Sequence, residues 1–317
     1  MEIKVTIGVC LRNCEKEVKR IVDLITNQDF PHERMTVIFV EEGSCDGTLS
    51  SIMKYSSGLN IKYEVFHQEW RGLGYSRNLV SKHSQGEYIV WVDDGTIIPK
   101  NYIRKQIEFM DKHPKVGVAR GTIGLYSGLS WVASLENLGQ LVFYHKYAVK
   151  SKTKLPAAGG SVYRTEAVKQ VGGFDENING ATEDSDIAYR ILLAGWQIYM
   201  TPIKFSIEYE ESFRKIWRKN IWYGYGTHYF IHKHKNFGTM KYKITPLAGF
   251  LQGLFISFDA YKLTQKKIAF ILPIYSFIKM AAFFWGFIKG HVDSYGHNKQ
   301  LSLDKIEIEQ SNNILEN

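Results

Sequence analysis

The 317-residue chain carries only three cysteines, Cys10, Cys14 and Cys45, all in its first segment and without the spacing of a zinc site. So few thiols exclude a disulfide framework and point to reduced cysteines in a protein that faces the cytosol. No signal peptide is recognisable either, in keeping with that expectation. No low-complexity tract interrupts the chain, and 44% hydrophobic with 23% charged residues argues for a real core rather than disorder. The length allows one large domain, or one domain with an appendage. Acidic residues are in deficit, leaving a formal net charge of +8. An anionic partner is therefore expected: nucleotide phosphates, nucleic acid or an anionic membrane.

What the chain does contain is an alternation of short apolar runs with helical stretches. Lys4–Cys10 (KVTIGVC), Met35–Val40 (MTVIFV), Ile61–Phe66 and Tyr88–Val92 (YIVWV) read as buried strands. Helices are expected over Glu15–Ile25, Leu49–Tyr55 and around Leu79–His83. Polar residues gather where strands end: Arg12 and Asn13 after the first, Glu41 and Glu42 at the second, Asp93 and Asp94 at the fourth. An open α/β sheet binds ligands outside the carboxyl ends of its strands, so these clusters mark one ligand edge. Asp93-Asp94-Gly95 reads equally as a turn or as a pair of oxygen ligands for magnesium or manganese.

Leu155–Gln197 concentrates the remaining chemistry. It holds a small-residue turn (Ala157, Ala158, Gly159, Gly160), a short helix Thr165–Val171, and a Gly172–Asp175 turn. Glu183, Asp184 and Asp186 then lead into an apolar-periodic helix expected over Ile187–Ala194. Carboxylates at a helix N-terminus face free N–H groups and stay ionised, which suits either capping or a general base.

Taken together these residues resemble the family-two nucleotide-sugar glycosyltransferases, of GT-A fold, over about residues 4–230. Val40–Thr48 (VEEGSCDGT) resembles the family's Val-Asp-Asp-Gly-Ser-x-Asp-Gly-Thr element, Arg77-Asn78 its Ala-Arg-Asn segment, Asp93-Asp94 its Asp-x-Asp metal motif, Gly159-Gly160 its acceptor-side glycine pair, and Thr182-Glu183-Asp184 its Glu-Asp motif. The resemblance implies a Rossmann-like mixed sheet flanked by helices, and an inverting, non-processive transfer of one sugar from a nucleotide diphosphate to an acceptor hydroxyl. It implies Asp184 as catalytic base with Glu183 as its orienting neighbour, leaving Asp186 as the helix cap. Cys10, Arg12, Asn13, Glu42, Arg77 and Asp93 would face the nucleotide, Gly159 and Gly160 the acceptor, and Asp93 and Asp94 a Mg2+ or Mn2+ ion. Three departures stand out. The metal motif is a residue short, both nucleotide-facing aspartates of the second strand are glutamates, and a histidine common in the family has no counterpart; Glu208 lies nearest, as a further metal ligand or a surface residue. The processive motif Gln-x-x-Arg-Trp is absent.

The carboxyl-terminal third differs in character. Residues 213–237 interleave cations with aromatics, among them Trp217, Arg218, Trp222, His228, His232 and His234. Such a face suits nucleic-acid bases or a membrane interface. With no nucleic-acid module present, the interface is favoured and nucleic acid is not expected. One helix cannot aim His228, His232 and His234 at a single ion. Pro246–Phe258 is too short to span a bilayer, whereas Ile268–Ile288 is long enough but contains Pro273 and Lys279. Cationic flanks at Lys262, Lys266 and Lys267 favour membrane contact at the cytoplasmic face, as a hairpin or as interfacial helices, and Gly286 and Gly290 resemble the terminal membrane segment of some family members. A lipid-linked or glycan acceptor would suit that placement. The expected organisation is a catalytic domain over 1–235, a helical membrane-associated region over 236–297 and a disordered polar tail over 298–317. A non-catalytic sugar-nucleotide binding or scaffold protein is the main alternative. A nucleotidyltransferase shares the sheet topology but would need a glycine-rich loop with a lysine near the amino terminus, which is missing.

Overall fold

A computed structural model of the chain describes residues 2–124, 130–145, 155–178, 181–209, 211–235 and 245–295. The polar tail expected over 298–317 lies outside them. Two compact units emerge: Met1–Asn179 with Glu183–Tyr209, and Gly180–Thr182 with Glu210–Asn317.

The first unit is built on an eight-stranded mixed sheet. Its strands are β1 (Val5–Leu11), β2 (Met35–Glu42), β3 (Lys62–Gln68), β4 (Tyr88–Trp91), β5 (Thr96–Ile97), β6 (Val116–Ile123), β7 (Ser161–Arg164) and β8 (Gln197–Ile207), in the spatial order β3-β2-β1-β4-β7-β6-β8-β5. β1 pairs in parallel with both β2 and β4, and β7 runs antiparallel to β4 and β6. The chain therefore steps outward from β1 to β3 and returns on the other side of β1 at β4. That reversal opens a crevice at the carboxyl ends of β1 and β4, where ligands of open α/β sheets bind. The fold class expected from the sequence is the one observed.

Central strands are buried on both faces, which explains their unbroken apolar runs. In β4, Tyr88 and Val90 join one core cluster while Ile89 and Trp91 join the other. β2 alternates in the same way, with Val37 and Phe39 on one side and Ile38 and Val40 on the other. β3 is an edge strand and correspondingly less buried. Helix α1 (Glu15–Thr26) turns Val18, Ile21, Val22 and Ile25 inward, the i, i+3, i+4, i+7 spacing of one helical face. Helices α2 (Thr48–Ser56) and α3 (Leu73–His83) cover β1 to β3, and α4 (Tyr102–Lys112), α5 (Trp131–Phe143), α6 (Thr165–Gln170) and α7 (Glu183–Leu193) complete the unit. α7 begins at Glu183, four residues earlier than the apolar period suggested, so the acidic residues lie inside its first turn.

The second unit contains α8 (Phe213–Lys233), α9 (Pro246–Thr264) and α10 (Leu272–Val292), with a 3-10 turn over Lys267–Ile271. By compactness α8 groups with the helices that follow it. α9 continues past Phe258 to Thr264, with Lys262 exposed in its last turn. Backbones approach closely here: a Cβ on Gly253 would fall 2.6 Å from Pro273 Cα, and one on Gly224 would fall 1.9 Å from the Phe283 carbonyl oxygen. Ala181 and Thr182 belong to this unit too. Thr182 has φ of 91°, rare for a side chain branched at Cβ, and its hydroxyl donates to the Gly226 carbonyl at 3.0 Å.

Candidate active site

Arg77, on α3, is the centre of the acidic crevice. It is 3% exposed and donates one Nη to Glu183 and the other to Asp93 Oδ1 at 3.3 Å. Its guanidinium also lies over the Trp91 ring, 5.6 Å from the centroid. Burial opposes its charge, but Glu183, Asp93 and Asp184 together keep it protonated well above the usual range. Glu183 is 3% exposed; burial pushes its carboxyl up, and contact with Arg77 works against that rise. Three sequence-predicted residues from three distant segments thus meet in one cluster.

Asp184 follows on the first turn of α7 and is half-buried. Its Oδ2 accepts from the Ala158 amide at 3.2 Å and its Oδ1 from the Ser185 amide at 2.6 Å. The small-residue turn therefore holds the carboxylate in place. Asp186, expected as the helix cap, is instead fully buried and paired with Arg190 one turn later. Arg190 in turn donates to the carbonyls of Val171 and Gly173, at 2.6 Å each. That pair braces α7 against the Gly172–Asp175 turn.

Gly159 faces the Asp93 carboxylate closely, whereas Gly160 backs onto the Phe205 ring. A Cβ on Gly159 would lie 2.7 Å from Asp93 Oδ2, and Gly160 adopts φ of 76° with its amide donating to the Trp91 carbonyl at 2.9 Å. Arg120, which sequence reasoning missed, donates to the Gly159 carbonyl at 2.9 Å from within the core. Asn78 does not share Arg77's position. Its side chain donates to the Phe174 carbonyl and accepts the Phe174 amide, so it fastens the Gly-Gly-Phe-Asp turn.

The ends of β1 and β2 form the other wall. Asn13, at φ of 52°, accepts the Cys45 amide through Oδ1 while its own amide donates to Ser44 Oγ. Arg12 lies over the Trp70 ring, 4.6 Å from the centroid; Trp70, partly exposed, is a residue the sequence did not flag. Glu42 is 2% exposed and burial raises its carboxyl to about 7. Burial likewise raises the Cys10 thiol, with Glu42, Asp93 and Glu183 adding to the effect. Glu41 differs: although burial works against it, Ser44 and His67 hold its carboxyl below the ordinary value.

Several buried polar atoms around this crevice have no protein partner among the described residues: Glu42 Oε1, Arg77 Nε, Trp91 Nε1, Tyr163 Oη and Glu183 Oε2. Buried polar groups are normally satisfied, so their concentration marks a place built to be completed by a ligand. The fit for a divalent cation is one of donor chemistry. Asp93, Asp94 and Glu208 offer the hard oxygens that Mg2+ and Mn2+ take. Glu208 lies beside the motif, its amide donating to the Gly95 carbonyl at 2.7 Å. Arg20 bridges the Asp94 carbonyl and Glu208 Oε2, so a guanidinium already supplies positive charge there.

Comparison with known proteins bears on the fold and the family. Poly(ribitol-phosphate) beta-N-acetylglucosaminyltransferase TarS of Staphylococcus aureus is 31% identical over 111 residues, 35% of this chain and 19% of that protein. Poly-beta-1,6-N-acetyl-D-glucosamine synthase of the same organism is 24% identical over 247 residues, 74% of this chain and 57% of that protein. The chain thus matches about a fifth of the length of the first of these relatives and little more than half of the second. Among solved structures, the mannosyltransferase PcManGT of Pyrobaculum calidifontis, in complex with GDP-Man and Mn2+, superposes with a TM-score of 0.69 at 18% identity, covering 92% of this chain and 88% of that one. Residues 1–349 of S. aureus TarS in complex with UDP give a TM-score of 0.53 at 18% identity, covering 92% of each chain. The fold is GT-A. Residues 6–172 match the family described as Glycosyl transferase family 2, and the chain belongs to that family.

Proposed function

We propose that this protein transfers one sugar from a nucleotide-diphosphate donor to an acceptor hydroxyl, with inversion at the anomeric carbon, in the building of a cell-surface glycan. The observation that carries this reading is the Asp93–Arg77–Glu183 cluster with Asp184 beside it on the first turn of α7. Asp184 takes the proton of the acceptor hydroxyl as that oxygen forms its bond to the anomeric carbon. The bond from the anomeric carbon to the phosphate oxygen breaks in the same step, and the nucleoside diphosphate leaves with the electron pair. Attack from the face opposite the leaving group inverts the centre. Glu183 and Arg77 hold Asp184's turn in register, and the Arg77 charge favours the diphosphate as it departs. Glu42, Asn13, Cys10 and Arg12 would hold the nucleoside, and Gly159 and Gly160 would leave room for the acceptor.

A divalent cation held by Asp94, with Asp93 or Glu208, would supply Lewis-acid stabilisation of the leaving diphosphate. PcManGT, whose structure contains Mn2+, supports the use of a divalent cation. The helical unit supports membrane contact. The segment Lys267–Val292 is long and apolar enough to cross a bilayer, with only 28% of its most apolar window buried. Leu251, Phe255 and Phe258 on α9, and Ile274, Phe277 and Trp285 on α10, are exposed. Lys262, in the last turn of α9, and Lys267, just after that helix, are exposed and suit an anionic cytoplasmic leaflet. A lipid-linked acceptor fits that location. The test is a donor screen with UDP- and GDP-sugars, following nucleoside diphosphate release with and without Mn2+ in the presence of lipid extract. Release that depends on donor identity and on Asp184 supports the reading; donor binding without release in every condition supports the scaffold alternative.

A further inference from the structure

Within the helical unit, α8 and α10 pack backbone to backbone. A Cβ on Gly286 would fall 2.0 Å from the Ile221 carbonyl oxygen, and one on Gly290 would fall 2.9 Å from His228 Cβ. The close approach brings together three imidazoles that the sequence separates. His228 and His232 lie one turn apart on α8, with ring centroids 4.2 Å apart, and His291 comes from the last turn of α10. Their ligating nitrogens all lie within 4.8 Å of one another. His234, grouped with them in the sequence reading, is not part of the set.

His228 is fully buried, and its Nδ1 lies 2.9 Å from the Tyr295 carbonyl oxygen. A carbonyl only accepts, so Nδ1 carries the proton and the Nε2 lone pair is turned inward. Nε2 stands 3.3 Å from His291 Nδ1. Two imidazoles on a tetrahedral zinc, with Zn–N of about 2.0–2.1 Å, place their nitrogens roughly 3.3–3.4 Å apart. A ligating histidine also commonly donates its other N–H to a backbone carbonyl, as His228 does.

We propose that His228, His232 and His291 bind a zinc ion that fastens α8 to α10. Neutral imidazoles without a carboxylate or thiolate in the set favour zinc over magnesium, calcium or manganese. His291 is exposed and His232 half-buried, so one side of the site opens to solvent and a water completes a tetrahedron. The site is chemically unlike the carboxylate group at Asp94 and is assembled from different residues.

The test uses the full chain without an affinity tag, stripped with chelator and then titrated. One equivalent of zinc measured by elemental analysis, a visible tetrahedral ligand-field spectrum with Co2+, and a rise in Tm with zinc but not with Mg2+ are expected. His291→Ala and His232→Ala, both at accessible positions and checked for folding by circular dichroism, should lose all three signals. Asp94→Asn should keep them. Substoichiometric zinc in the wild type, or a full equivalent retained by His291→Ala, overturns the proposal and reduces the trio to a hydrogen-bonded histidine cluster.

Discussion

Arg77 and Glu183 form an ion pair across 106 residues of sequence, each side chain 4% exposed. Removing one partner of such a pair leaves an uncompensated buried charge and costs about 3–5 kcal/mol. Arg77→Met should therefore lower the chemical-denaturation midpoint sharply. Joining it to Glu183→Leu should recover much of the loss, because neither variant side chain then needs a counter-charge. Urea titrations of the two single variants and the double variant measure this coupling. Additive losses would show that the pair does not act as a unit.

Asp184 is half-buried and held by two backbone amides, so its replacement disturbs little packing. Asp184→Asn should leave donor binding intact and lower turnover by about 10²–10⁴-fold, the usual contribution of a general base. Calorimetric donor titration beside steady-state rates separates the two effects. A variant with wild-type turnover would remove Asp184 from the role of base.

Burial raises the Glu42 carboxyl from 4.5 to about 7. Between those values the folded protein holds a proton that the unfolded chain has released, so stability falls as pH rises through that window. Glu42→Gln should remove this group's share of the fall, leaving that of Glu183, which burial also raises. The variant should match the wild type below pH 4.5 and exceed it above pH 7 by at most about 3 kcal/mol. Denaturant melts of ligand-free protein at several pH values check the slope.

Exposed apolar side chains line α9 and α10, with Phe255 at 71% and Trp285 at 59% exposure. Phe255→Glu with Trp285→Glu should reduce binding to anionic vesicles by at least tenfold while leaving secondary structure unchanged. Wild-type flotation with vesicles, lost in the double variant, is the expected result. Equal flotation of both proteins would assign that face to another partner.

The sequence by itself determined the order of strands and helices up to β4 and the polar residues at their ends. Buried parallel strands need continuous β-branched and apolar runs, and those runs stop where the chain turns at the ligand edge. It also placed Glu183 and Asp184 beside a helix start, since acidic residues cluster where amide groups are free. What it did not show was which charges meet. Arg77 reaches Glu183 and Asp93 because α3 packs against α7 beside the end of β4, a relation that no local spacing encodes. Asp186 looked like a cap, but the position of α7 turned it inward to Arg190. His228 and His232 found their third partner on α10 rather than at His234, because glycine lets two helices approach within backbone contact. Periodicity and composition act along the chain, whereas ion pairs and ligand sets depend on distances that only packing sets.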